Sequence, residues 1–158
     1  MRHKLLLLSI LTLSLITSAC NSSDGKDLNL NQNVYMENIS AFCEKGICLG
    51  INLKPITGII IFPRFGTSIL LQRYENGEAN GKSITFNNTG AKILETIYKN
   101  GKSIDQKFYY PNGKIQLEMG NNINKAYYEN GQVQYEIMDG IYKEYDKTGK
   151  LLKANKTN

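Results

Sequence analysis

The sequence predicts an all-β protein: an elongated up-and-down antiparallel β-meander built from about five repeated hairpins. Three observations predict this class. Turn glycines recur along the chain of 158 residues at spacings of 24, 23, 18 and 18 residues. An aromatic residue stands four positions before each of these glycines. The flanking segments alternate apolar and polar residues with the period of two that is typical of strands, and no window after Cys20 has helical apolar spacing.

The recurring positions form columns when the glycines are aligned. The glycine column is Gly66, Gly90, Gly113, Gly131 and Gly149. The aromatic column is Phe62, Phe86, Tyr109, Tyr127 and Tyr145. Four positions after each of the first four glycines stands a large apolar residue: Leu70, Leu94, Leu117 and Tyr135. The last three of these are followed directly by Glu95, Glu118 and Glu136. This recurrence indicates one structural unit repeated along the chain.

Residues 1–19 have the three parts of a signal peptide. A charged start is followed by an apolar run at residues 5–16 and by small residues ahead of Cys20. The run is shorter than the about 20 residues that span a bilayer, so we expect cleavage and export. A cysteine directly after such a site resembles the lipobox of bacterial lipoproteins, which implies lipidation of the Cys20 sulfur. The alternative is ordinary secretion with Cys20 as a free thiol.

Residues 20–33 are polar and nearly free of large apolar groups. Such a segment buries too little surface to offset the entropy of ordering, so we expect a flexible tether. No later stretch is long and apolar enough to span a membrane. We therefore expect the body to lie outside the cytoplasm in the cell envelope, anchored by its lipid to the outer or the cytoplasmic membrane.

Residues 34–56 are expected to form an N-terminal capping hairpin. Cys43 and Cys48 remain as an even pair in an oxidising compartment, and Gly46 can supply the turn between them. A disulfide closing this short loop stabilises by about 2 kcal/mol. The alternatives are a redox pair, although redox motifs favour two intervening residues at a helix start, and two reduced core cysteines.

Turn chemistry sets the register of the repeat sheet, residues 57–152. A two-residue type I′ turn requires positive φ at Thr89 and Thr148, which adopt it poorly, whereas a three-residue loop with a G1 bulge requires it only of glycine. This loop predicts the pairs Tyr109–Ile115, Tyr127–Val133 and Tyr145–Leu151. We expect the aromatic column to share one face with Leu117 and Tyr135, and the glutamates to occupy the other.

A second set of turn signals lies between the hairpins and completes the meander. These signals are Glu75-Asn76-Gly77, Lys99-Asn100-Gly101, Gly120-Asn121-Asn122 and Asp139-Gly140. Strand and turn thus alternate throughout with no crossover helix. Residues 153–158 are expected to fray.

Composition excludes several function classes. The only histidine, His3, lies in the expected signal peptide, so the mature chain has no histidine for nucleophilic, acid–base or zinc sites. Removing residues 1–19 takes away Arg2 and Lys4 and no acidic residue, so the net charge falls from +5 to +3. The lysines that remain are spread along the chain and do not form the basic cluster that nucleic acid binding requires. We expect no nucleic acid partner, no metal, no cofactor and no enzymatic activity.

The recurrent glutamates allow one catalytic alternative, a glycan-cleaving enzyme with paired carboxylates at Glu118 and Glu136. The structural interpretation is that each glutamate pairs across strands with a lysine column. That column is Lys107, Lys125 and Lys143.

The tyrosine doublets offer a candidate binding face. Neighbouring residues of a strand point to opposite faces, so each doublet sends one ring to each side. Tyr110 and Tyr128 then stand beside lysines and asparagines on a surface of the kind enriched at interfaces. The alternative is that these rings only cover a thin sheet, since aromatic residues favour strands.

The units match a known family. PITG at residues 55–58, then RYENGEANGK, IYKNGK, FYYPNGK, AYYENG and YDKTGKL, resemble the MORN repeat variant proteins, including those called YwqK-family antitoxins. The resemblance covers about residues 46–152 and implies a repetitive antiparallel sheet in a small secreted or lipidated protein. We expect a non-catalytic, lipid-anchored module that binds a protein, peptide or glycan. The alternative is an antitoxin or immunity protein that neutralises a cognate toxin.

Overall fold

The computed structural model describes residues 34–36, 40–64, 68–120 and 123–157. The regular structure of these residues is entirely β, which confirms the predicted fold class. The strands are β1 (Val34–Met36), β2 (Ala41–Glu44), β3 (Ile47–Gly50), β4 (Gly58–Arg64), β5 (Ser68–Glu75), β6 (Glu78–Asn87), β7 (Lys92–Lys99), β8 (Lys102–Tyr109), β9 (Ile115–Gly120), β10 (Ile123–Tyr127), β11 (Val133–Met138), β12 (Ile141–Tyr145) and β13 (Leu151–Lys156). The described residues include no helix that is long and apolar enough to cross a membrane.

From β4 to β13 every strand pairs antiparallel with its neighbours in chain order, as the meander prediction requires. The first edge differs from the prediction, because β1 pairs with β4 in parallel. Parallel neighbours need a long connection, and here residues 37–57 supply it, with the hairpin of β2 and β3 included. That hairpin stands off the main path, and its ladder pairing with β6 is the pair Ile47–Glu78.

The three-residue loops are confirmed at four hairpins. In the first of the doublet turns, the Gly113 N–H donates to the Tyr110 carbonyl at 2.9 Å and the Tyr110 N–H donates to the Lys114 carbonyl at 2.9 Å. Gly113 has a φ of 79°, the conformation for which glycine is needed. The same two bonds recur in the turns at Asn87–Ala91, Tyr128–Gln132 and Asp146–Lys150. Gly66 lies outside the described residues.

The opposite ends of the strands carry two-residue turns at the positions of the second turn signals. Asn76 and Gly77 have φ values of 51° and 85°, as a type I′ turn requires. Two further pairs, Asn100-Gly101 and Asp139-Gly140, have the same signs. Asn121 and Asn122 lie outside the described residues.

The prediction of which columns share a face is wrong. Tyr109 does pair with Ile115, but the next pair is Phe108–Leu117, so the strand after the turn holds one extra residue, a β-bulge. Past this bulge Glu118 stands opposite Lys107, and Leu117 is on the other face. Register shifts occur at the corresponding place in three more hairpins, at Thr85/Phe86, Ala126/Tyr127 and Glu144/Tyr145. The glutamates therefore share a face with the aromatic column.

Phe62 is the exception within the aromatic column. It pairs with Leu70, not with Ser68, and the β4–β5 ladder shows no register shift. Phe62 consequently joins a different buried cluster from Phe86. Four of the five aromatic residues share one face, and the first hairpin differs because it lacks the extra residue.

Apolar side chains are buried mainly around β4–β6, in two clusters. One contains Ile59, Ile61, Ile69, Leu71, Ile84 and Phe86. The other contains Ala41, Cys48, Ile56, Ile60, Phe62, Tyr74 and Ala79. In β8–β13, among the described side chains, only Ala126 is buried. The C-terminal strands thus form a thin sheet in which most side chains stay half-exposed.

The cysteine pair and the tail complete the fold. Cys43 and Cys48 face each other across β2 and β3 and form a disulfide with an S–S distance of 2.01 Å, and Gly46 lies in the turn between them, as the sequence predicts. The tail differs from the prediction of fraying, because β13 continues to Lys156, which pairs with Ile141. Residues 1–33, with the expected signal peptide, Cys20 and tether, lie outside the described residues.

Candidate binding surface

A row of alternating charges crosses the C-terminal strands. Directly opposed residues run in the order Glu95, Lys107, Glu118, Lys125, Glu136 and Lys143. The Lys107 Nζ lies 3.1 Å from Glu118, and the Lys125 Nζ lies 3.1 Å from Glu136. The Lys143 Nζ is 3.9 Å from Glu136. This charged row bears out the predicted pairing of the glutamate and lysine columns.

Two tyrosines of the aromatic column bind the glutamates of the charged row from the side of the three-residue turns. The Tyr127 hydroxyl donates to the Glu118 carboxylate at 2.7 Å, and the Tyr145 hydroxyl donates to Glu136 at 2.9 Å. Tyr109 has a different partner: the Lys92 Nζ lies 4.3 Å from the centroid of the Tyr109 ring. Glu118 and Glu136 therefore each contact the lysine opposite them in their own hairpin and the tyrosine of the following unit.

These contacts shift the pKa values within the row. Hydrogen bonds from Lys125 and Tyr145 lower the pKa of the Glu136 carboxyl. Burial raises the pKa of Glu118, but the bonds donated by Tyr127 and Lys107 outweigh it and leave that pKa below the usual value. Burial and the bond to Glu118 raise the pKa of Tyr127 to about 12. At neutral pH the glutamates are therefore ionised and the tyrosine is neutral.

This electrostatic arrangement bears on the catalytic alternative. A glycosidase general acid needs a raised pKa, so that it holds a proton at neutral pH. Glu118 and Glu136 have lowered pKa values and are engaged in ion pairs. The geometry favours structural pairing over acid–base chemistry for both residues.

The candidate rings Tyr110 and Tyr128 tie neighbouring units together. The Tyr110 hydroxyl donates to the Tyr127 carbonyl at 2.7 Å, and the Tyr128 hydroxyl donates to the Tyr145 carbonyl at 3.0 Å. Both side chains are partly exposed. The rings are thus held in one orientation, one per unit, with part of each ring accessible to solvent.

The turn asparagines make an equivalent connection that the sequence analysis did not identify. The Asn112 amide donates to the Glu129 carbonyl at 3.3 Å, and the Asn130 amide donates to the Lys147 carbonyl at 2.8 Å. Each bond joins residues 17 positions apart, close to the repeat spacing of 18. Asn112 and Asn130 are 18 residues apart, which is the repeat spacing, and this recurrence is the sequence signal for the connection.

An apolar row lies on the other face, opposite the charged row. It consists of Leu94, Phe108, Leu117, Ala126 and Tyr135. The Tyr135 ring stacks on Tyr142 at a centroid distance of 6.0 Å. All members except Ala126 are partly exposed.

The described residues offer little that could hold a small ligand. They contain no group of three or more His, Cys, Asp or Glu side chains placed to bind a metal ion. One open depression of about 190 Å³ lies beside the charged row, lined by Asp105, Lys107, Glu118, Met119, Gly120 and Ile123. Another, of about 310 Å³, lies beside the segment after β3. A protein that bound this sheet would therefore contact an extended surface and not an enclosed pocket.

Comparison with known proteins identifies the C-terminal units. Residues 103–119, 121–138 and 138–154 each match the family model described as MORN repeat variant. No curated protein matches the sequence. The matches confirm the resemblance for the last three units, whereas the units around Gly66 and Gly90 are not matched. Residues 103–154 of this chain are thus similar to MORN repeat variants, which indicates a repeat-based binding or scaffold module.

Proposed function

We propose that the chain is a lipid-anchored, non-catalytic module of the cell envelope that binds a protein, peptide or glycan along its C-terminal sheet. The observation that carries this proposal is the pair of rings at Tyr110 and Tyr128, which recur at the repeat spacing and are fixed by hydroxyl bonds of 2.7 and 3.0 Å. Rigid, partly exposed aromatic rings contribute contact area without a large entropy cost on binding.

The thinness of the C-terminal sheet supports the same proposal. From β8 to β13 the described side chains bury only Ala126, so neither face is sealed into a core. The charged row is paired within itself. A partner that covered it would have to desolvate ion pairs, whereas the tyrosine rings offer apolar surface.

Binding by the rings is tested with two matched double variants. Tyr110→Phe with Tyr128→Phe removes the hydroxyl bonds but keeps the rings, and Tyr110→Ala with Tyr128→Ala removes both. After cross-linking in envelope extract, we expect the wild type and the Phe variant to capture the same partner and the Ala variant to lose it. Capture of the same set by all three would refute the proposal. The identity of the partner distinguishes a cognate toxin from a scaffold component.

The anchor is tested separately. The mass of the mature N-terminal peptide should show Cys20 carrying a diacylglyceryl group, and Cys20→Ser should release the protein from the membrane fraction. An unmodified Cys20 in the mature wild type would refute lipidation without affecting the binding proposal.

A further inference from the structure

Four of the ten large apolar side chains that are exposed among the described residues lie in the hairpin of β2 and β3 and in the loop after it, and they include the two most exposed, Ile51 and Leu53; the other six lie on the C-terminal strands. The exposed fractions are 50% for Phe42, 45% for Ile47, 75% for Ile51 and 76% for Leu53. These four residues, here called the apolar hairpin surface, lie within a short segment that precedes the repeats. A concentration of large exposed apolar groups of this kind marks a contact site.

The loop that carries Ile51 and Leu53 is held in place by its own hydrogen bonds. The Leu53 N–H donates to the Gly50 carbonyl at 2.9 Å, and the Gly50 N–H donates to the Lys54 carbonyl at 2.9 Å. Leu53 has a φ of 58°, a strained conformation for a residue with a branched side chain. Leu53 occupies the position that Gly113 holds in the repeat turn, since the same two bonds close both loops. The loop therefore presents both side chains to solvent in a fixed position.

The hairpin under the loop is firmly attached to the core. Ala41 and Cys48 are fully buried in one of the two apolar clusters. The Cys48 N–H donates to the Gly77 carbonyl at 2.7 Å, which joins the hairpin to the turn before β6. The disulfide between Cys43 and Cys48 links its two strands. The hairpin is thus fixed to the N-terminal part of the sheet.

We propose that the apolar hairpin surface inserts into the headgroup region of the membrane that holds the lipid anchor. This inference rests on the proposed anchor at Cys20. Residues 21–33 separate Cys20 from β1, so β1 cannot lie more than about 50 Å from the attached lipid. The hairpin begins five residues after the end of β1, which adds at most about 18 Å. Tethering raises the local concentration of bilayer, so that even a small apolar contact is populated. Two exposed lysines flank the surface: Lys45 lies 4.0 Å from the carboxylate of Glu44, and Lys54 is the cation that matches anionic headgroups.

Insertion has a consequence for the rest of the molecule. It orients the sheet with its N-terminal end at the bilayer, and the repeats extend away from it. A partner would be met at a fixed side of the tethered protein.

The absence of tryptophan from the sequence gives a clean reporter. Ile51→Trp places the only indole in the loop, and Leu152→Trp, at a side chain 58% exposed on β13, is the matched control. With Cys43 and Cys48 bonded, the chain from Cys20 onward has one free thiol, which is coupled to maleimide lipid in vesicles of phosphatidylethanolamine and phosphatidylglycerol. We expect a blue shift and quenching by brominated acyl chains for Ile51→Trp and neither for Leu152→Trp.

A second variant separates loss of insertion from loss of folding. Adding Leu53→Asn to Ile51→Trp removes apolar surface but suits the positive φ, so we expect a smaller blue shift together with an unchanged or higher unfolding midpoint. Equal emission from Ile51→Trp and Leu152→Trp on vesicles would refute the proposal. So would a shift that appears without vesicles and grows with protein concentration, which indicates a second copy of the chain. Because the coupling supplies the anchor chemically, this result is independent of whether cells lipidate Cys20.

Discussion

Positive φ values at non-glycine residues mark where the backbone is under strain. Four of the described cases are first residues of two-residue turns, at Lys45, Asn76, Asn100 and Asp139, where the turn type requires that conformation. Leu53 is different, because it stands at the last position of a three-residue loop that is closed by the same two bonds as the repeat turns, where those turns have glycine. Its conformation is imposed by the bonds that close the loop.

Replacement of Leu53 should therefore stabilise the fold. Leu53→Asn relieves a left-handed conformation that costs leucine about 1 kcal/mol, and it removes little buried surface because the side chain is 76% exposed. We expect the free energy of unfolding in denaturant to rise by about that amount. Leu152→Asn, at an exposed strand position, is the control and should not raise it. A decrease with Leu53→Asn would contradict the assignment of strain.

Glycine is required for different reasons at two positions. At Gly113 a Cβ would meet nothing within 4 Å, so Gly113→Ala costs only the backbone strain of about 1 kcal/mol. At Gly120 a Cβ would lie 2.6 Å from the Ile104 carbonyl oxygen. Gly120→Ala should lower the thermal midpoint far more than Gly113→Ala. Equal effects in calorimetry would show that the β8 backbone moves aside easily.

The hairpin is the element that sequence reasoning predicts best. The three-residue loops follow from local chemistry, since glycine alone adopts the left-handed conformation easily, and the pairs Tyr109–Ile115, Tyr127–Val133 and Tyr145–Leu151 follow from the loops. The bulge one step later has no such local signal in Gln116 or its neighbours. The bulge moves the residues after it to the opposite face of the sheet. The ion pairs between the glutamates and the lysines were therefore predictable, but the hydrogen bonds that Tyr127 and Tyr145 donate to the glutamates were not.

The charged row makes stability depend on pH. The pKa of Glu118 is below its ordinary value of 4.5 in the folded chain, so its pairing stabilises the fold above that pH and is lost as the pH falls through the folded value. Glu118→Gln should cost about 1 to 2 kcal/mol at neutral pH and progressively less as the pH falls below 4.5. Denaturant unfolding across this range measures the difference.

A glutamate outside the row provides the control for that experiment. Glu129 is exposed in the neighbouring turn and has no ion pair among the described contacts. Glu129→Gln should keep the pH profile of the wild type. A loss of stability for Glu118→Gln that is the same at all pH values would indicate a packing defect in place of a lost ion pair.

Across the whole molecule, burial is uneven and contacts are mostly local. Both apolar clusters lie around β4–β6, while β8–β13 contact mainly their neighbours in the sheet. The meander follows from the repeats, but the parallel β1 was not predictable, because three residues paired with a distant strand leave no pattern in the sequence. Repeat proteins of this kind have stability that adds up from unit to unit.

Removal of the last hairpin tests this additivity. A chain that ends at Met138 loses β12 and β13, but Glu136 keeps Lys125 at 3.1 Å. We expect cooperative unfolding with a lower midpoint, and hydrogen exchange protection of β4–β6 equal to that of the full chain. General loss of protection would show that the two ends of the sheet fold as one indivisible unit.

The bonds that join residues 17 positions apart connect each unit only to the next one. An additional copy of residues 113–130 could therefore be inserted without altering either terminus, and each copy adds two strands, or about 10 Å, to the width of the ribbon. Duplication of the short gene segment that encodes these residues would thus widen the ribbon in equal steps and so set how far the protein extends.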